Sequence, residues 1–111
     1  MNQTQEGLLL RIFVGESDRS GGRPLYEAIL DLLRTEGLAG ATVLRGVAGF
    51  GRSSVVHTAH LLRMSEDLPM VIECVDVADK IEGVLPAVDR MVTEGMVTVE
   101  RVQVRIYRGR D

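Results

Sequence analysis

Hydrophobic positions in this chain follow two alternating rhythms. Over residues 8–14, Leu8, Leu10, Ile12 and Val14 share one parity, and Leu9, Arg11 and Phe13 share the other. Period two is the mark of a strand with one apolar face and one mixed face. Over residues 24–36 the steps become three and four, through Leu25, Ala28, Ile29, Leu32 and Leu33. That spacing places one apolar stripe on a helix, and Pro24 suits its first turn, where no intrahelical N–H is used. A second strand is expected over residues 41–47. The same order then recurs: a strand over 70–76, a helix over 78–93 with the stripe Ile81, Val84, Leu85, Val88 and Val92, and a strand over 96–107. Both helices close on Thr-Glu-Gly, at residues 35–37 and 93–95. A glycine there is expected to take the left-handed conformation that caps a helix.

Two local conflicts interrupt this pattern. Pro86 lies inside the second helix and is expected to kink or divide it. In the last strand Val97 and Val99 share one parity while Val102, Val104 and Ile106 share the other. A bulge near Glu100 and Arg101 is expected, because one extra residue returns both sets to one face.

The order βαββαβ with two one-sided helices specifies an α+β sandwich, most simply the ferredoxin-like split βαβ arrangement. Residues 1–111 are read as one domain, with tails at 1–7 and 109–111. The helices cover one sheet face. The other also carries apolar residues, so oligomerisation through the sheet is expected. Between strands two and three, residues 50–69 show no clear period. They follow the turn Gly46-Val47-Ala48-Gly49-Phe50-Gly51-Arg52, whose glycines suit a sharp exit into a long loop.

Composition narrows the function classes. A net charge of -3 argues against a general nucleic-acid binder. No apolar run reaches the roughly 18 residues of a membrane span. Residues 1–7 are polar, with no basic stretch before an apolar one, which argues against a secretory leader. The lone Cys74 excludes an internal disulfide and fits the cytoplasm. One local excess is basic: Arg101, Arg105, Arg108 and Arg110 near the C-terminus.

Several of these runs together resemble the nitrogen regulatory PII proteins. They are residues 36–43, the Gly49-Phe50-Gly51-Arg52 step, and the closing Arg101-Val102 and Arg105-Ile106. The chain resembles still more closely an uncharacterised PII-like domain-of-unknown-function family. That likeness is carried by residues 24–29, 40–46, 49–51, 57–59 and 67–73, and it runs from about residue 8 to 104. The resemblance implies a ferredoxin-like protomer, a homotrimer with its sheets facing inward, and ligand sites in the clefts between subunits. It also implies a non-enzymatic signalling role, in which a T-loop, here residues 50–69, engages a partner such as a membrane transporter or channel. By the same resemblance Gly49, Gly51, Arg52, Arg101 and Arg105 contact a small anionic metabolite, in PII an adenine nucleotide. One departure bears on that ligand. PII has a phosphate loop with glycine and lysine before the last strand, whereas this chain has only Thr93-Glu94-Gly95-Met96. An acidic residue and no lysine suit a ligand less charged than a triphosphate.

The residues also allow other readings. His57 and His60, three apart, can share a helical face and bind a metal, with Glu66 and Asp67 as added oxygen ligands. That alternative resembles the divalent-cation tolerance proteins, which share the fold. Residues 15–23 form a polar connection without a phosphate-loop ending, read as a solvated loop. Arg101 and Arg105 suit paired hydrogen bonds to an anion, or salt bridges with Glu94, Glu100 or another subunit. No nucleophile is placed beside a base and an orienting acid.

Overall fold

The computed structural model describes residues 2–51 and 67–109, and their side chains from residue 4 onward. Its elements are β1 (Asn2–Gly15), β2 (Arg19–Ser20), β3 (Arg23–Pro24), α1 (Leu25–Thr35), β4 (Ala41–Arg45), β5 (Pro69–Asp76), α2 (Ala78–Met91) and β6 (Met96–Tyr107). The main sheet has the order β4-β5-β1-β6, with every neighbouring pair antiparallel. Both helices pack on one face, as the ferredoxin-like arrangement requires. β2 and β3 make a small hairpin inside the connection from β1 to α1, where the sequence suggested a solvated loop.

The core lies between the sheet and the helices. Leu10, Ile12 and Val14 of β1 meet Met70, Ile72 and Cys74 of β5, and the helices add Leu25, Ile29, Leu33, Ile81, Val84 and Val88. The helical contributors are the stripes read from the periodicity. Burying each of these aliphatic side chains stabilises the fold by about 1.5–3 kcal/mol before the entropy of ordering is counted.

The first helix ends as its sequence predicts. Gly37 sits at φ 82°, its N–H donates to the Arg34 carbonyl, and Leu38 N–H donates to the Leu33 carbonyl. Those two bonds form a Schellman cap. The second Thr-Glu-Gly serves a different purpose. The cap of α2 is already Val92, and Gly95 instead passes over the Phe13 carbonyl, leaving no room for a Cβ.

Three other expectations are corrected. α2 runs undivided through Pro86, because this residue lies on the solvent side, where water can satisfy the freed Glu82 carbonyl. β6 has no bulge: its register with β1 is continuous from Asn2 opposite Tyr107 to Phe13 opposite Met96. Val97 and Val99 therefore face the helices, while Val102, Val104 and Ile106 lie on the opposite face. The phase change falls where β5 ends, opposite Leu8. Beyond that point β1 and β6 continue as a two-stranded ribbon. Residues 2–7, read from sequence as a tail, are the first half of this ribbon.

Candidate functional site

The sheet face away from the helices carries a ladder of charge across three strands. Arg11 of β1 lies opposite Glu73 of β5, and its Nε donates to Glu73 Oε2 at 2.8 Å. Its other arm reaches Glu100 Oε1 of β6 at 2.9 Å. The hydrogen bond that Arg11 donates to Glu73, reinforced by Glu100, pushes the guanidinium further above its usual pKa. Around the ladder the face is apolar. Phe13, Leu44, Val71 and Met96 lie to one side, and Leu9, Val75, Val102 and Val104 to the other. Leu44 is 48% exposed and Met96 54%.

The glycine turn leaves the sheet at the Gly15 end. Gly46 N–H donates to the Pro69 carbonyl at 2.7 Å. A Cβ on Gly46 would lie 2.8 Å from Pro69 Cγ, and one on Gly49 2.9 Å from the same atom. The turn is thus pressed against the proline ring, and side chains are excluded at both positions. Val47 and Phe50 project outward, 74% and 75% exposed.

The arginines stand elsewhere. Arg101 lies opposite Leu8, where the ribbon leaves the sheet. It lines a shallow recess of about 330 Å³ with Glu6, Gly7, Leu8 and Ala78. It makes no ion pair among the described residues; Glu100, its sequence neighbour, points to the other face and is held by Arg11. Arg105 stacks over Tyr107, with its Cζ 5.8 Å from the ring centroid. Four residues of strand separate Arg101 from Arg105, about 13 Å at the strand rise.

Pro69, under the glycine turn, is opposite Gly15, and Arg101 is opposite Leu8. Seven residues of β1 part them, about 23 Å. The structure therefore keeps Gly49 with the turn and gathers Arg101 and Arg105 at the other end. Arg52, His57 and His60 lie outside the described residues. Among the described residues no group of three or more His, Cys, Asp or Glu is arranged to hold a metal ion. Cys74 is buried in the core, and burial, with Asp76 nearby, pushes its thiol up to about 11.

The DUF190 family pattern, described as Uncharacterized ACR, matches residues 7–104. The chain belongs to the DUF190 family. A UPF0166 protein of Methanocaldococcus jannaschii is 33% identical over 102 residues, covering 91% of this chain and 92% of that protein. A UPF0166 protein of Aquifex aeolicus is 35% identical over 96 residues, covering 86% and 90%. Among solved structures, CPII from Thiomonas intermedia K12 superposes with a TM-score of 0.59 at 20% identity, covering 92% of this chain and 91% of that one. CPII is a nitrogen regulatory PII-like protein, and that structure holds ADP and bicarbonate. This DUF190 chain thus has the PII-like fold. Among its described residues no helix is long and apolar enough to cross a membrane.

Sequence reasoning missed the charge ladder and the ribbon. Arg11, Glu73 and Glu100 become neighbours only once the strand register is known.

Proposed function

We propose that this DUF190 protein is a cytoplasmic, non-enzymatic PII-like regulator that works as a homotrimer. A small anionic metabolite, best an adenine nucleotide, binds in the cleft between copies. Gly49 and Gly51 of one copy face it from the turn, and Arg101 and Arg105 reach it from a neighbour. The segment 50–69 passes the ligand state to a partner, a membrane transporter or channel.

The observation that carries this reading is the separation of about 23 Å between the turn and Arg101 along β1. One chain cannot close that distance around a metabolite, and a second copy on the apolar sheet face can. The PII-like fold, and the ADP held by CPII, favour a nucleotide. The short acidic link at residues 93–96 favours AMP or ADP over ATP.

Calorimetric titration with AMP, ADP, ATP and cyclic AMP tests the proposal. Saturable binding near one ligand per chain is expected, weakened about ten-fold or more by Arg101→Ala, as for a lost charged hydrogen bond. An oligomer that gives no heat with any of the four would remove the nucleotide reading.

A further inference from the structure

The connection from β1 to α1 touches both legs of the chain around the glycine turn. On the outgoing leg, Arg45 is the last residue of β4. Its Nε lies 3.0 Å from Glu16 Oε2, and a second guanidinium nitrogen donates to Glu16 Oε1 at 3.2 Å. On the returning leg, Asp67 Oδ1 accepts from Ser17 N–H at 3.0 Å and from Ser17 Oγ at 2.7 Å. Next to it, Glu16 N–H donates to the Leu68 carbonyl at 2.8 Å. Two adjacent residues, Glu16 and Ser17, therefore hold both legs at once.

The grip is built from several constraints. Asp67 sits at φ 36°, a conformation that Asn and Asp tolerate better than other side chains. A Cβ on Gly15 would lie 2.5 Å from Asp67 Oδ1, so the carboxylate occupies the space that the glycine leaves. The connection is anchored in turn. Asp18 Oδ2 accepts from Gly15 N–H at 2.9 Å, and the Asp18 carbonyl accepts from Leu25 N–H at 2.8 Å, at the start of α1. Leu68 is buried beneath, 7% exposed. A continuous set of bonds thus runs from the first turn of α1 to both legs.

We propose that Glu16, Ser17 and Asp67 form a positioning clamp for the glycine turn. The clamp fixes the spacing between the ends of β4 and β5, and with it the Gly46–Pro69 contact on which the turn rests. A displacement of the connection moves both legs together. The clamp is a property of the fold and holds whatever the turn binds.

Amide hydrogen exchange by NMR on the full chain tests this. Three amides report on it: Glu16 (bonded to Leu68), Ser17 (bonded to Asp67) and Gly46 (bonded to Pro69). Asp67→Ala is expected to accelerate all three about ten-fold or more, while Leu10 and Ile72 in the core keep their rates. Asp67→Asn, which keeps the acceptor and tolerates the backbone angle, is expected to restore rates to within about three-fold. Glu16→Ala is expected to accelerate Ser17, although Ser17 does not touch the Glu16 carboxylate. Acceleration of Ser17 alone in Asp67→Ala would overturn the clamp, since the bond would then be local. Equal acceleration of core amides would overturn it too, since the effect would then be global unfolding. If Asp67→Ala does not fold, Glu16→Ala decides: a faster Ser17 amide supports the clamp, and an unchanged one refutes it.

Discussion

Cys74 shows how placement decides the chemistry of a single residue. Its side chain is on the helix-facing side of β5, opposite Leu10, and is 2% exposed. With its pKa raised to about 11, little thiolate exists near neutrality. The native protein is expected to react with a disulfide reagent at pH 8 at least about 100-fold more slowly than a free thiol, measured by absorbance. The thiol ionises at about 9 in the unfolded chain and about 11 in the fold, so the fold is favoured below pH 9 and loses that advantage between 9 and 11. Denaturant midpoints across that range check it, with Cys74→Ala flattening the added slope. Gly95 makes the parallel case for space. A Cβ there would collide with the Phe13 carbonyl, and Gly95→Ala is expected to destabilise by about 2 kcal/mol in urea unfolding. The sequence suggested a helix cap at this residue, because a Thr-Glu-Gly that closes α1 looks the same as one that crosses a strand. Only the position of β1 distinguishes them.

At the level of elements, what is repeated locally was legible and what depends on pairing was not. The stripes of both helices and the alternation in β1 are properties of consecutive residues, and the structure keeps them. The phase change in β6 was visible, but a bulge and an unsupported ribbon produce the same parity switch. The end of β5 opposite Leu8 decides for the ribbon, and nothing in β6 itself reports where β5 stops. Pro86 carries a test at this scale. Proline inside a helix costs about 3 kcal/mol relative to alanine, partly offset because it also stiffens the unfolded chain. Since the residue is exposed and α2 continues through it, Pro86→Ala should restore the bond to the Glu82 carbonyl without disturbing the core. A gain of about 2 kcal/mol is expected in chemical denaturation. A loss would mean that α2 needs its present shape to pack Val84 and Val88 on the sheet.

At the scale of the molecule, the two ends of the candidate site pose a question of assembly. The glycine turn and the basic strand were both legible in sequence, but their separation was not, because distance along β1 follows from register. If the ligand lies between copies, each cleft takes its turn from one chain and its arginines from the next. Two variants with opposite defects then complement each other. Arg101→Ala removes the cation and leaves the turn, while Gly49→Val crowds Pro69 and leaves the cation. Each alone is expected to bind nucleotide about ten-fold or more weakly than the wild type. Mixed in equal amounts during refolding and assorted at random, they should form about a quarter of the clefts from an intact turn and an intact arginine. Calorimetry should then recover about a quarter of the wild-type stoichiometry at wild-type affinity. A site contained in one chain predicts none, because every chain carries a defect. The same assay reads the charge ladder. Arg11→Met strips the cation from between Glu73 and Glu100 and leaves two carboxylates on the face through which the proposed assembly would pack. Burying unpaired charge is strongly unfavourable, so this variant should sediment as a smaller species and lose complementation with either partner. If it assembles normally, the apolar surround holds the copies together by itself, and the ladder is a surface ion pair of little weight.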